Sequence, residues 1–587
     1  MKTILDRVDN TNDLKDLSKD ELVKLCTEIR EQLIRRLSVT GGHVGSNLAV
    51  IEATVALHFV FNSPVDKIIF DVSHQCYTHK LLTNRKAAYT NPEEYGSVSG
   101  FTNPDESEHD LFSIGHTSTA ISLATGVAKA RDVKNESYNV IAVVGDGALS
   151  GGEALEGLNN AAMLGSNLII LINDNDMSIA ENHGGLYGNL KLLRETGGKA
   201  ECNFFRALGF DYRFVRNGND FTEIADALEK AKSADHPVVI HMCTVKGKGY
   251  LPAEHDRENW HYMESFNIDT GKPLHKTAPV KTYENLTRNY LTEKMKSDPT
   301  IVAVIAGTPK ILGFDEDSRR QFSGQFFDVG IAEEHAIAMV SGIAKNGGRP
   351  VFGVSSSFLQ RTYDQLSSDL ALNSSPAVIL VFFAGLSGGS QTHMGAFDIP
   401  LASNIPNVIY LAPTCKEEYL HMLEWGLEQA EKPVIIRVPG VETVSRDAEL
   451  LAAYNYPAKY EIVEYGTEVA ILALGKFFGL GESVIERLKA EHGIHATLIN
   501  PRYTSAVDET MLNALPEYGH KLVVTLEDGV LDGGFGEKIA RFYGNSSMRV
   551  LNFGAKKEFV NHMPVEEQYR RYHLTAEQIV ADIIENL

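Results

Sequence analysis

YNVIAVVGDGALSGGEALEGLNNAAMLGSNLIILINDNDMSIAEN, residues 138–182, is the stretch from which the fold can be read. A β-branched apolar run ends at Gly145-Asp146-Gly147. A small-residue turn then opens a helical stretch from about Ser150 to Met163, and a second apolar run ends at Asn173-Asp174-Asn175. Continuous apolar runs separated by a helix predict a right-handed βαβ unit whose parallel strands are buried on both faces. Asp146 and Asn175 then lie at the carboxyl ends of nearby strands, where open α/β sheets bind ligands. A carboxylate and an amide oxygen are hard donors that suit Mg²⁺, with phosphates and water completing its shell. The glycines let a ligand approach the backbone, and the helix N-terminus favours an anion. A GDG triplet alone reads more often as a structural turn; the NDN one βαβ unit later is what tips the reading towards function.

Working outward, the same pattern recurs in PVVIHMCTV, TIVAVIAG, PAVILVFFAG, NVIYLAPT, PVIIRVPG, EVAILALG and KLVVTLEDG. The fold class is therefore α/β, built from parallel sheets. Polar stretches without periodicity divide the chain into three domains at 1–255, 280–440 and 460–587, joined by linkers at 256–279 and 441–459. At 587 residues the chain is long enough for three or four domains. Its formal charge of −22 repels phosphate backbones and anionic lipid, so neither nucleic acid nor a membrane is an expected partner. The longest apolar run, residues 377–386, is half the length that crosses a bilayer and reads as a buried strand. Five scattered cysteines without C-x-x-C spacing argue against a disulfide framework or zinc site, and the N-terminus lacks a signal-peptide core. A cytoplasmic location is expected.

The GDG and NDN pair resembles the pyrophosphate motif of thiamine-diphosphate enzymes. Such enzymes need a carboxylic acid facing the aminopyrimidine, and FFDVGIAEEHAIAMVSGIAKNG (326–347) offers Glu333 and Glu334 at a helix start. Glu334 is read as a charge complementing the helix dipole and Glu333 as the catalytic acid. The resemblance extends along nearly the whole chain. GGHVGSNLAVIEATVALHFVFN (41–62), DVSHQCYTHK (71–80), GHTSTAIS (115–122), KGKGYLPAE (246–254), DVGIAEEHA (328–336), SSFLQRTYDQ (356–365), QTHMGAFD (391–398) and EEQYRRYHLT (566–575) occur in the order found in the 1-deoxy-D-xylulose-5-phosphate synthase family. That family has a transketolase-like fold and condenses pyruvate with glyceraldehyde 3-phosphate, releasing CO₂.

Residue by residue, the resemblance implies that His74, Gly115, His116, Thr117, Gly147, Ala148, Asn175 and Tyr250 contact thiamine diphosphate. Asp146 and Asn175 would hold Mg²⁺ with the backbone carbonyl of Met177. His43, His261 and His393 would face the reacting carbons and carry protons; each histidine taken alone would more often be structural. Arg361, His393 and Arg437 would meet substrate. A homodimer is implied, with the motif-poor C-terminal domain serving dimer contact.

Four positions depart from the family. Phe383 stands where the family has arginine. Gly388-Gly389-Ser390 replaces Gly-Ala-Asp-Gly with one residue deleted, Ser355 replaces a tyrosine, and Gly440 replaces a second arginine. Both arginines would clamp the acceptor phosphate, so the acceptor's identity and charge stay open at this level. The segment between Asn182 and Phe204 is also much shorter than the family's mobile cover. The alternatives are a paralogue that makes an acyloin from another aldehyde, a transketolase-type ketol transferase, a thiamine-dependent dehydrogenase-complex subunit, which the chain resembles less closely, and a cofactor-binding scaffold without turnover. Retention of Glu333, Asp146 and Asn175 argues against the last.

Overall fold

The computed structural model describes residues 3–275, 281–446 and 459–587. The end of the first expected linker and most of the second lie outside the described residues. The chain forms two compact units, Met1–Ala278 with Gly330–Ala332, and Pro279–Val329 with Glu333–Leu587.

The first unit carries a five-stranded sheet of β1 (Lys67–Phe70), β2 (Val140–Gly145), β3 (Leu168–Asp174), β4 (Asp211–Val215) and β5 (Pro237–Cys243), in the order β1-β2-β3-β5-β4. All its pairings are parallel. Alternate residues of a strand point to opposite faces, and here both faces are covered. Ile141, Val143, Ile169 and Leu171 enter one core, while Val140, Ala142, Val144, Ile170 and Ile172 enter the other. Two apolar faces require an uninterrupted apolar run, which is what residues 140–144 and 168–172 supply. In the β2–β3 register Gly145 lies opposite Asn173, so the turns that follow both strands open at the same end of the sheet. After β2 comes a 3₁₀ turn, Asp146–Ser150, and then a helix, Gly152–Ala161. This helix starts later and ends sooner than the sequence suggests. A Cβ on Gly151 would lie 2.2 Å from Ser118 Oγ, so the small-residue turn is needed for the two loops to pack.

The second unit holds two sheets. One is parallel throughout, with β6 (Ile301–Ile305), β7 (Phe326–Asp328), β8 (Arg349–Ser355), β9 (Val378–Phe382), β10 (Ile409–Leu411) and β11 (Val434–Arg437) in the order β10-β11-β9-β8-β6-β7. The other comprises β12 (Glu461–Glu464), β13 (Val469–Ala473), β14 (Thr497–Asn500), β15 (Leu522–Val530) and β16 (Arg549–Ala555) in the order β12-β14-β13-β15-β16. Its edge strand β12 runs antiparallel to β14, a departure from the all-parallel expectation. Glu461–Glu464 is short, charged and only partly buried, which is how an edge strand discourages further pairing. Ala470, Leu472 and Val523 on one face of this sheet share a core with β6–β11, whereas Ile471 and Val524 face a second core under the C-terminal helices. The apolar run at 377–386 is β9 and its exit, buried as expected except at Phe383. No described helix is long and apolar enough to cross a membrane.

Candidate active site

In the first unit, three loops at the carboxyl end of the sheet bring the expected residues together. Asp146 is buried, and one of its carboxylate oxygens, Oδ2, accepts from Met177 N at 3.0 Å and from Asn182 Nδ2 at 2.8 Å. Burial, and next the charge of nearby Asp174, push its carboxyl well above the usual range. That is the signature of an anion lacking a counter-charge. Asn175 Oδ1 is buried and has no hydrogen-bond partner among the described residues. A buried amide oxygen left unpaired is costly, and a cation would satisfy it and Asp146 together. Among the described residues no group of three or more His, Cys, Asp or Glu is arranged to hold a metal. A cation here would therefore rely on Asp146 with amide, backbone and phosphate oxygens. A Cβ on Gly147 would meet Ser178 at 2.8 Å, so only glycine fits there. The residues thus fit a diphosphate and a divalent cation.

The Gly115-His116-Thr117 triplet precedes the helix Ala120–Val133. Asp71 organises that entry, accepting from Ser118 N at 2.8 Å and Ala120 N at 3.0 Å, while Ser118 Oγ donates to Ala148 O at 2.8 Å. The triplet and the Gly147-Ala148 turn are thereby joined at a helix N-terminus. Lys246 is almost wholly buried and donates to Ser178 O; burial pulls it down to about 8 despite the opposing pull of Asp146. Tyr250 packs edge-on against Trp260 at 5.1 Å, and its hydroxyl donates to Ile268 O at 2.8 Å.

His43, His74 and His261 form a triangle, with ring centroids 4.9, 5.3 and 5.5 Å apart. All three residues are half-buried, and Nδ1 of His74 and of His261 is itself buried. Gly42 and Met263 exchange backbone hydrogen bonds of 2.8 and 3.0 Å, which brings the loops bearing His43 and His261 together. Asn47 Nδ2 donates to the carbonyls of His43 at 2.7 Å and His74 at 2.8 Å, while its Oδ1 accepts from Tyr77 N. One amide thus locks two of the three histidine backbones.

In the second unit, Glu333 starts the helix Glu333–Lys345 and is 2% exposed. Its Oε2 has no hydrogen-bond partner among the described residues; Arg361 Nη1 stands 3.7 Å away. Burial pushes the carboxyl up to about 7, against the pull of Arg361. An acid near neutrality can give and take a proton at working pH. His393 closes the short turn Gln391–His393, with its Nδ1 3.0 Å from Thr392 Oγ1 and its ring edge-on to Phe358 at 5.7 Å. Burial lowers its pKa, which favours the neutral imidazole.

The four divergent positions have definite surroundings. Phe383 adopts a left-handed backbone (φ 54°) and is half exposed. Ser390 is buried and caps the turn that carries His393. Ser355 Oγ lies 3.3 Å from Ser357 Oγ at the end of β8, and Gly440 follows β11. Arg437, expected to meet substrate, is instead buried. Its Nε donates to Asp398 Oδ2 at 2.7 Å, and its Nη2 to Asp398 Oδ1 at 3.3 Å and to Asp528 O at 2.6 Å. One carboxylate and one backbone carbonyl thus hold the guanidinium inside the protein.

Sequence reasoning passed over Asn47, Asp71, Ser118 and Asn182, and also Lys246, although several stand inside the motifs it used. Their spacing carries no signal of its own, because each acts on a loop brought near only by folding.

Residues 5–203 match the family described as 1-deoxy-D-xylulose-5-phosphate synthase, residues 280–442 the transketolase pyrimidine binding domain, and residues 458–579 the transketolase C-terminal domain. The fold is accordingly of the transketolase type. The chain is 38% identical over 623 residues to the 1-deoxy-D-xylulose-5-phosphate synthase of Clostridium acetobutylicum, covering 100% of both. It is 37% identical over 624 residues to that of Clostridium tetani, again covering 100% of both. It is also 37% identical to that of Shouchella clausii, covering 99% of each chain. With likeness of that order along its entire length, and with the buried carboxylates and loop glycines in their motif positions, the chain belongs to the 1-deoxy-D-xylulose-5-phosphate synthase family.

Proposed function

We propose that this protein is a thiamine-diphosphate- and Mg²⁺-dependent transferase that joins pyruvate to glyceraldehyde 3-phosphate, giving 1-deoxy-D-xylulose 5-phosphate and CO₂. The observation that carries the reading is Glu333, a buried carboxyl at about 7 at a helix start, whose Oε2 has no hydrogen-bond partner among the described residues. A scaffold without chemistry has no use for such a group, since its ionisation costs stability.

When bound, thiamine diphosphate supplies a nucleophilic carbon and an electron sink for the decarboxylation. Asp146, Asn175 and the carbonyl of Met177 would hold the cation, and Gly147, Ala148 and the Gly115-His116-Thr117 loop would hold the diphosphate. His74 and the ring of Tyr250 complete the binding surface. Glu333 would hold and return a proton at Oε2. His43, His261 and His393 hold the substrate oxygens and deliver the one proton that the new hydroxyl group takes up. In the balance, pyruvate loses its carboxylate as CO₂, a carbon–carbon bond forms to the aldehyde carbon, and the aldehyde oxygen gains a proton. Arg361 and His393 meet substrate, while Arg437 is buried against the Asp398 carboxylate and the Asp528 carbonyl. The enzyme works as a cytoplasmic homodimer. All five cysteines are free and three of them are buried, which supports a reducing compartment.

One observation favours a second reading, an uncharged aldehyde as acceptor: Phe383 exposes half of its apolar surface where the family carries a phosphate-clamping arginine. A single experiment separates the two. Purified protein with thiamine diphosphate, Mg²⁺ and pyruvate is offered glyceraldehyde 3-phosphate or glyceraldehyde, with CO₂ release and product mass as readouts. The synthase reading expects faster release with the phosphorylated aldehyde. Absence of CO₂ with either, together with ketol transfer from a ketose phosphate, would refute it.

A further inference from the structure

The shortened segment after Asn182 is an ordered part of the first unit. It forms the helix Gly185–Thr196, closed by Gly197 in the left-handed conformation, with Gly198 N donating to Leu193 O at 2.8 Å. Tyr187, Leu190 and Leu193 are buried on one face in the same core as β2 and β3. Asn189 ties the far end down, donating to Cys202 O at 2.9 Å and accepting from Phe204 N at 3.1 Å.

The segment grips the cofactor loops at three points. Asn182 Nδ2 donates to Asp146 Oδ2 at 2.8 Å. The Tyr187 hydroxyl lies 3.2 Å from the carbonyls of both Asp146 and Gly147. Arg194 Nη1 lies 2.8 Å from each oxygen of buried Asp174, and its Nη2 donates to Asp176 at 2.5 Å. Asp174 and Asp176 flank Asn175, whose own Oδ1 has no hydrogen-bond partner among the described residues. Asp174 is further braced by His241 Nε2 at 2.8 Å, and Tyr212 Oη stands 2.8 Å from Nδ1 of the same ring. Asn182 and Tyr187 thus bear directly on the Asp146-Gly147 turn, beside the Met177 and Gly147 amides, and Arg194 holds the carboxylate next to Asn175.

We propose that Arg194 and Tyr187 are positioning residues for the diphosphate and cation. Arg194 fastens the helix to Asp174 and Asp176, and the fastened helix presents Tyr187 and Asn182 to the Asp146-Gly147 turn. A charge-assisted, two-pronged bond holds direction as well as distance, which a single lysine amine does not reproduce. The segment acts as a clasp that keeps Asp146 and Asn175 aimed at one point before any ligand arrives.

The inference rests on the thiamine-diphosphate reading, and its test measures binding rather than turnover. The affinity of the intact protein for thiamine diphosphate at fixed Mg²⁺ is read from tryptophan fluorescence; Trp260, in contact with Tyr250, is the reporter. Arg194→Ala should weaken binding by about tenfold or more, and Tyr187→Phe, which keeps the apolar body, by about threefold to fivefold. Arg194→Lys should recover part of the loss and Arg194→Gln none, a pattern that simple destabilisation does not produce. In parallel, limited proteolysis of the cofactor-free protein should cut within 182–203 faster in Arg194→Ala than in the wild type. Binding unchanged within twofold in Tyr187→Phe overturns the proposal, even where Arg194→Ala folds poorly. Equal affinities of the Lys and Gln variants overturn the role of Arg194. A wild-type protein that binds no thiamine diphosphate refutes the cofactor reading and this inference with it, whereas wild-type binding with unaltered variants refutes this inference alone.

Discussion

Replacing Glu333 by glutamine should make the protein more stable and nearly inactive. In the folded state the Glu333 carboxyl sits at about 7 rather than 4.5, so ionising it works against the fold. At about 1.4 kcal/mol per pH unit, the penalty reaches about 3 kcal/mol once the group is ionised in both states. The sign follows from proton counts. Between 4.5 and 7 the folded protein binds more protons than the unfolded chain, so stability from this group falls as pH rises and the full penalty applies above 7. Glutamine has nearly the same shape and never ionises. Glu333→Gln should therefore raise the melting temperature of the cofactor-free protein by a few degrees at pH 8. At pH 5 most of that gain should vanish. Calorimetry at the two pH values measures the difference. Over the same range the variant should lose about 10²–10⁴-fold in CO₂ release from pyruvate, because the amide cannot exchange the proton. Equal stabilisation at both pH values would refute the burial argument. Full activity would remove Glu333 from the chemistry.

Asn175→Ala and Asp146→Asn should each weaken Mg²⁺-dependent cofactor binding by about two orders of magnitude, read by fluorescence titration; unchanged affinity would place the cation elsewhere. Arg437→Ala leaves buried Asp398 with the Tyr410 hydroxyl but without its charged partner and should cost about 3–5 kcal/mol in a denaturant melt. A variant of normal stability whose acceptor KM alone rises would instead return Arg437 to the substrate site. In the first unit, His58 Nε2 meets His79 Nδ1 at 2.9 Å, and His79 Nε2 meets Asp110 at 2.8 Å. Burial holds both imidazoles below 6.5, so the stability they confer is present above pH 6.5 and is lost as pH falls further. His58→Gln should flatten the fall in melting temperature between pH 6.5 and 5; a slope like the wild type's would refute the assignment.

The apolar runs made the sheets legible because strands buried on both faces need an unbroken apolar sequence, and Val140–Gly145 and Leu168–Asp174 have one. Strands such as Asp211–Val215 and Glu461–Glu464 escaped notice because one face is partly exposed and the run is broken. The turn residues Asp146, Gly147 and Asn175 were readable for a local reason, since their spacing is the length of one βαβ unit. Asn47, Asp71 and Arg194 were not, because each acts at long sequence separation on a backbone or carboxylate that only the fold brings near. Arg437 shows the converse. An arginine at the end of a strand looks available for an anion, and only the buried Asp398 and the Asp528 carbonyl reveal where its charge is spent.

That last contact limits how freely the parts of this protein can be exchanged. Asp528 belongs to β15, yet its carbonyl receives Arg437 from the end of β11 and its carboxylate receives Leu386 N and pairs with Lys476. A Cβ on Gly385 would lie 1.8 Å from that same carboxylate. The C-terminal sheet is therefore not a detachable module. A chimera that imports residues 460–587 from a relative would have to bring an aspartate to this position and find a glycine waiting at 385. Without the match, the loop leaving β9 would lose its anchor, and a graft made far along the chain would be felt at Phe383.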